Sequence, residues 1–227
     1  DIKLPVKEEK NLEHGISNRG IRSFFNGTSY YEIQNIEYAV NLKNKIQTKE
    51  TVLKLKDGKL YKLIEYKNVS SVEVRYPWTI INKKYIILTN GNKDELVNEV
   101  VGNYHIDGDY LFVDKKVFYA VLNKDNENKI SRVDINTIQN DNFQVLNIKE
   151  VDSLGESINK DYAKDEKFVY YKGKIIDGAD PKSIELPPVY GYDKVSKKDY
   201  KYHIKDKNSY YRFGEKIDKK EAENYKK

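Results

Sequence analysis

The run Tyr162-Ala163-Lys164-Asp165-Glu166-Lys167-Phe168-Val169-Tyr170-Tyr171-Lys172-Gly173-Lys174-Ile175-Ile176-Asp177-Gly178-Ala179-Asp180-Pro181-Lys182-Ser183-Ile184 decides the fold. It reads as a strand, a charged turn, an aromatic strand, a glycine turn, a short strand and a capped single turn at Asp180-Pro181. Aromatic and β-branched runs punctuated by Gly, Asp and Pro favour hairpins over helices. A second copy follows at Asp206-Lys207-Asn208-Ser209-Tyr210-Tyr211-Arg212-Phe213-Gly214-Glu215-Lys216-Ile217. Laying Asp165 on Asp206 places Tyr170 on Tyr211 and Gly173 on Gly214 without a gap. Asp114-Lys115-Lys116-Val117-Phe118-Tyr119 keeps a tyrosine at the same offset but has Leu122 where the others have glycine. Asn82-Lys83-Lys84-Tyr85-Ile86-Ile87 keeps only the polar turn and the apolar strand. The starts at 82, 114, 165 and 206 lie 32, 51 and 41 residues apart, so the unit recurs without the constant period of a regular solenoid.

The Asp-Lys-Asn-Ser-Tyr-Tyr core at 206–211, its partner at 165–171 and the Gly178-Ala179-Asp180-Pro181-Lys182-Ser183 segment resemble the DKNYY family over roughly Asp109 to Ile217. The resemblance implies a bacterial, often exported or surface-anchored protein without an assigned activity, and it brings no catalytic residues with it. The N-terminal half departs from the pattern.

Composition narrows the remainder. The chain has 227 residues, enough for one large or two small domains, and its 20 tyrosines supply much of the buriable surface. A tyrosine packs its ring and keeps its hydroxyl at a wet edge, which suits thin β-structures. Lysine and arginine number 41 against 36 acids, with the signs interspersed, so no nucleic-acid partner is expected. There is no cysteine, which excludes disulfides and thiolate metal sites. The absence of methionine points to a processed chain and, through a removed signal sequence, to an extracytoplasmic location at the cell surface, in the periplasm or secreted. No run approaches the ~18 apolar residues of a membrane span.

Taken in order, residues 1–20 read as a charged tail, 21–103 as an N-terminal β region, 104–217 as the hairpin-repeat region and 218–227 as a short helix or tail. Asn26-Gly27, Asp57-Gly58 and Asn90-Gly91 mark hairpin turns. Pro77 ends the alternating strand Val72–Tyr76 or confines it to a sheet edge. Apolar residues at 96, 97, 100 and 101 allow a short helix or two strands, and Asp218 with Glu221 makes a capping box. The expected fold is therefore all-β, an irregular array of antiparallel hairpins in a stack or sandwich, with one or two short helices. A propeller-like arrangement is the alternative.

The chemistry is sparse. His14, His105 and His203 show no metal-binding spacing, no serine elbow or P-loop is present, and neither cofactor nor metal is expected. Asp107-Gly108-Asp109 could pair two carboxylates for acid-base work but has the composition of a turn. Alternation in the copies assigns Tyr119, Tyr170 and Tyr211 to the core and turns Phe118, Tyr171, Tyr210 and Arg212 to the other face. With Trp78, these four form the candidate binding surface for a protein or glycan partner. The functional expectation is a non-catalytic binding module; a hydrolase using Asp107 and Asp109, or a structural spacer, are the alternatives.

Overall fold

Alternating apolar residues interrupted by turn formers fold into hairpin after hairpin, and the computed structural model is all-β. It describes residues 22–54, 60–90, 93–100, 102–123, 129–135, 142–152, 154–196 and 198–222. The expected N-terminal tail, the Asp57-Gly58 turn and residues 124–128 lie outside these residues, as do Gly91 and the last five positions. The chain divides into two compact units, residues 1–101 with 122–130, and 102–121 with 131–227. No closed barrel forms among the described residues.

The first unit contains β1 (Arg22–Phe25), β2 (Ser29–Asn35), β3 (Ala39–Asn41), β4 (Thr48–Lys54), β5 (Leu60–Lys67), β6 (Val72–Arg75), β7 (Trp78–Ile81), β8 (Tyr85–Asn90) and β9 (Lys93–Glu99). They form a four-stranded sheet ordered β1-β2-β5-β4 and a five-stranded sheet ordered β3-β9-β8-β7-β6. Among the described residues of this unit, only β3 and β9 pair in parallel. Val72–Arg75 is an edge strand, as Pro77 demands. The helix allowed at 94–101 is instead strand β9, whose Asp94 and Leu96 point inward with strand periodicity. The turn after Phe25 is centred one residue later than Asn26-Gly27, because the Asn26 side-chain oxygen accepts the Thr28 and Ser29 amides at 3.0 and 2.8 Å.

Tyr30, Tyr38, Ile64, Tyr66, Ile87 and Leu96 belong to the core of this unit, and it encloses a polar island. Glu32 and Asp94 are 2% and 0% exposed. Tyr38 donates to Asp94 Oδ1 at 2.7 Å, and the Tyr66 hydroxyl touches Asp94 Oδ2 and lies 3.1 Å from Glu32 Oε2. The neighbouring Lys62 ammonium is engaged elsewhere, with the Tyr38 carbonyl at 2.6 Å and Glu50 at 2.8 Å. Burial first, and the Asp94 charge second, push the Glu32 carboxyl well above the usual carboxylate range.

The second unit is built on β10 (Tyr104–Asp107), β11 (Tyr110–Val113), β12 (Lys116–Asn123), β13 (Lys129–Ile135), β14 (Gln144–Val145), β15 (Ile148–Asp152), β16 (Gly155–Asn159), β17 (Tyr162–Lys164), β18 (Val169–Tyr171), β19 (Lys174–Ile175), β20 (Gly191–Asp193), β21 (Lys198–Tyr200), β22 (Ile204–Lys205), β23 (Tyr210–Arg212) and β24 (Glu215–Ile217). A 3-10 turn at Pro181–Ser183 and the helix α1 (Lys219–Ala222) complete it. The sheets β10-β11-β12-β13, β14-β17-β18-β19 and β22-β23-β24 are three versions of one unit.

Their turns explain the Asp and Tyr of the motif. Asp165 Oδ1 accepts the Lys167 and Phe168 amides, both at 2.7 Å, while Oδ2 accepts the Tyr170 hydroxyl at 2.7 Å. Asp206 repeats this with Asn208, Ser209 and Tyr211 at 2.8, 2.7 and 3.0 Å, and its Oδ2 also takes the Asp180 amide at 2.9 Å. The aspartate holds the turn, and the tyrosine five residues on locks the aspartate. Asp180 in turn caps the 3-10 turn through the Lys182 amide at 3.1 Å, so the two most specific sequence motifs are bonded to each other.

Asp114 does not belong to this series. It sits inside a two-residue turn with φ +51°, and Tyr119 donates to Asp161 Oδ1 at 2.7 Å instead of to Asp114. The true register is one residue off. Tyr110 and Tyr119 are cross-strand partners, as are Tyr162 and Tyr171, and each pair receives the glycine turn of the next copy. The Gly214 amide donates to the Tyr162 hydroxyl at 2.9 Å, and the Gly173 amide to that of Tyr110. A Cβ on Gly214 would lie 2.5 Å from Tyr171 Cδ1, and one on Gly173 would lie 2.9 Å from Tyr119 Cβ. Only glycine permits this approach at φ +80° and +75°. The corrected steps, 110 to 162 to 203, are 52 and 41 residues. Tyr119, Tyr170 and Tyr211 are all buried, but Tyr119 and Tyr170 meet in one core from adjacent copies rather than occupying equivalent places.

Candidate functional site

Each of the last two copies carries a further hairpin, β15 and β16 in one, β20 and β21 in the other, whose first strands keep the 41-residue step while the turns differ, two residues between Asp152 and Gly155 against four between Asp193 and Lys198. The two hairpins lie side by side. Tyr190 donates its amide to the Lys149 carbonyl at 2.7 Å and accepts from the Val151 amide at 2.9 Å. Gly191 then passes so close that a Cβ would stand 2.5 Å from the Val151 carbonyl oxygen.

Both turns begin alike, on an aspartate that accepts the amides two and three residues on. Asp152 Oδ1 accepts the Leu154 and Gly155 amides at 2.7 and 3.1 Å; Asp193 accepts the Val195 and Ser196 amides at 3.0 and 3.2 Å. These side-chain bonds fix each turn in the conformation that presents its aliphatic residue outward. Leu154 and Val195, equivalent by the 41-residue step, are 95% and 93% exposed. Tyr192 and Ile158 add half-exposed apolar surface beside them. Between the hairpins runs a cleft of about 640 Å³ whose lining includes Glu150, Leu154, Pro188, Tyr192 and Val195. An isolated exposed aliphatic residue is ordinary, but one on each of two neighbouring tips flanking a cleft makes this a candidate binding surface.

A smaller cavity of about 280 Å³ is lined by Gly108, Asp109, Glu150, Ile158, Asn159, Lys160 and Asp161. Asp107 is ion-paired to Lys160 at its side, so its carboxylate is committed. Desolvation, and then the Asp161 charge, raise the Asp109 carboxyl above its ordinary value. The carboxyl groups that line this cavity are therefore Asp109, Glu150 and Asp161, and Asp107 is not among them. Among the described residues, no group of three or more acidic or histidine side chains could hold a metal ion.

The surface expected from the sequence does not assemble. Trp78 is 0% and Phe118 4% exposed, so both are core residues and offer nothing to a partner. Tyr171 is half-buried under Gly214, its ring 4.8 Å from that of Tyr162. Tyr210 packs edge-on to Tyr202 at 5.0 Å, and Arg212 is paired with Glu221 of the C-terminal helix turn. Of the strand face that alternation turned outward, Tyr171 is covered by the next copy, while Tyr210 and Arg212 are engaged by near neighbours in the sequence.

Of the histidines, His105 stacks on Phe112 with ring centres 4.1 Å apart, and His14 lies outside the described residues. His203 occupies the place of Tyr162 one copy on and is fully buried. Its Nδ1 accepts the Phe213 amide at 3.2 Å and lies 3.2 Å from the Tyr162 hydroxyl, and its Nε2 stands 3.3 Å from Glu150 Oε1 without hydrogen-bond alignment. Burial lowers its pKa to about 4, Arg212 adding to the effect and Asp161 opposing it. It joins two copies as a neutral imidazole. No family model, curated protein or solved structure matches the chain.

Proposed function

We propose that this chain is a non-catalytic binding module, extracytoplasmic by its likeness to the DKNYY family, that engages a partner through the paired hairpins β15-β16 and β20-β21. The observation that carries the reading is the equivalence of Leu154 and Val195: two copies present an aliphatic side chain at the same position, on turns stiffened by the same aspartate bonds. Preorganised tips lose little conformational freedom on binding, and apolar anchors at the centre of a polar rim are the usual energetic focus of an interface. No helix of the described residues is long and apolar enough to cross a membrane. Glycan-array and pull-down screens of the wild type against the Leu154→Asp/Val195→Asp double variant test this. Partners retained by the wild type and lost by the variant support it; identical partner sets for the two proteins refute it.

The second reading is a hydrolase, favoured by one observation: Asp109, its carboxyl raised by desolvation and by Asp161, faces the smaller cavity. A desolvated carboxyl whose pKa is raised can serve as a general acid. Turnover of a glycoside or peptide that Asp109→Asn abolishes would establish this reading in place of the first.

A further inference from the structure

We infer that Asn26 is a site of self-modification: the Gly27 amide nitrogen attacks its side chain, and the aspartate that results completes in the first unit the turn lock formed by Asp165 and Asp206 in the second. The site lies in the first unit and owes nothing to the hairpin surface. Glycine after asparagine leaves the side-chain carbon open to the next backbone nitrogen, because no Cβ obstructs closure of the five-membered ring. Asn26, Gly27 and Thr28 are all exposed, and nothing stands within 4 Å of where a Gly27 Cβ would lie. Among the described residues the Gly27 amide donates no hydrogen bond, so the nucleophile is uncommitted.

The electrophile is prepared. Asn26 Oδ1 accepts the Thr28 amide at 3.0 Å, the Thr28 hydroxyl at 3.2 Å and the Ser29 amide at 2.8 Å. Negative charge collects on this oxygen when the nitrogen adds to Cγ, and donors already fixed there stabilise the adduct. The amide nitrogen that must depart is held only by the Tyr31 hydroxyl, 3.4 Å away.

In the first step the Gly27 nitrogen joins Cγ, the Cγ–Nδ2 bond breaks, and the Gly27 amide proton leaves with Nδ2 as ammonia. Water then opens the cyclic imide. Addition at Cγ breaks the new Cγ–N bond and gives aspartate in a normal backbone; addition at the backbone carbonyl carbon gives isoaspartate. The Thr28 and Ser29 donors polarise the Cγ carbonyl of the imide as they did the amide, so water adds there and aspartate predominates. Asp165 and Asp206 each accept from a tyrosine five residues on, at 2.7 and 3.0 Å, and Tyr31 holds that place after position 26. A carboxylate at 26 accepts the Tyr31 hydroxyl and strengthens both amide bonds through its charge. Glu65, which takes the Ser29 and Tyr31 hydroxyls at 3.3 Å each, is the like charge it meets, and at an exposed turn solvent screens that repulsion.

The test is peptide mapping by mass spectrometry of the full chain after prolonged incubation at neutral pH, folded and in guanidinium. The folded chain should convert Asn26 at least as fast as the denatured one and give the larger share of aspartate. Thr28→Ala, which removes one exposed donor from Oδ1, should slow the folded reaction about tenfold, less than the ~100-fold lost from a water-excluded oxyanion hole. Asn26→Asp should raise hydrogen-exchange protection of the Thr28 and Ser29 amides about tenfold over the fresh wild type. Asn26 left intact in the folded chain, isoaspartate as its main product, a Thr28→Ala rate equal to wild type, or amides no better protected in Asn26→Asp would each overturn the inference.

Discussion

Gly214→Ala should be among the most damaging single-methyl additions in the second unit. At φ +80° an alanine costs about 1–2 kcal/mol in backbone strain. Its Cβ would also lie 2.5 Å from Tyr171 Cδ1 and 2.8 Å from Cγ, inside contact distance, and overpacking of this kind costs about 1–3 kcal/mol more. The total is roughly 2–5 kcal/mol. Gly178→Ala supplies the control, because Gly178 has φ +72° but no atom within 4 Å of its would-be Cβ, leaving the strain alone. Native-state hydrogen exchange of the β22–β24 amides reads the difference directly. It also confines the readout to the second unit, whereas Trp78, the chain's single tryptophan, reports on the first. The clash should then be relieved from the other side: Gly214→Ala should cost about 1–3 kcal/mol less when Tyr171 is already alanine than when it is tyrosine. Equal costs for Gly214→Ala and Gly178→Ala, with no coupling to Tyr171, would refute the docking of each glycine turn on the preceding tyrosine pair.

Asp206→Ala removes the acceptor of four hydrogen bonds and should destabilise the second unit by about 2–4 kcal/mol, against less than about 1 kcal/mol for Tyr211→Phe, which deletes one donor; urea titration with exchange detection compares them. The two units should respond oppositely to acid. Glu32, with its folded pKa raised, contributes stability that is full below the ordinary glutamate range and is lost as pH rises through its folded value, so thermal melts followed at Trp78 should fall as pH rises from 5 towards 8, and Glu32→Gln should flatten the trend. His203, with its folded pKa lowered to about 4, contributes stability that is full above 6.5 and lost as pH falls towards 4, so exchange protection of β17 and β22 should decline over that window and a His203→Gln variant should not show the decline. An unchanged ordering of the two units at pH 5 and pH 8 would contradict both assignments.

Much of the architecture was legible because it is local. Period-two alternation and the Asx-Gly dipeptides located the hairpins, and the aspartate and tyrosine five apart in the last two copies turned out to be bonded. The same offset misled at Asp114, where a tyrosine five residues on is a coincidence of a shorter turn. One copy of the motif's bonding was missed: Asn26 caps the Thr28 and Ser29 amides, and its Nδ2 reaches the Tyr31 hydroxyl at 3.4 Å. The echo of Ser209-Tyr210-Tyr211 in Ser29-Tyr30-Tyr31 was the available signal. Asparagine in place of aspartate, and Gly-Thr in place of Lys-Asn, concealed it. The helix pattern at 96–101 failed because a sheet edge opposite β8 outweighs two i, i+4 pairs.

The site was less legible, for a physical reason. Whether a strand residue is exposed depends on what stacks on its face, and the face of Tyr171 is covered by Gly214, 43 residues on. Leu154 and Val195 read as ordinary apolar residues until the 41-residue step is carried along the first strand of each hairpin, when each falls two residues after the aspartate that opens its turn. The Glu32 and Asp94 pair is invisible in sequence because its members come from different sheets.

Proton NMR of the full chain tests the repeat docking most directly, since the Gly214 Hα protons sit where a side chain would strike the Tyr171 ring. They should show cross-relaxation to the Tyr171 ring protons and a ring-current displacement that vanishes in Tyr171→Ala. Gly214 Hα protons at unperturbed positions, with no cross-relaxation to that ring, would contradict the stacking on which the paired tips depend.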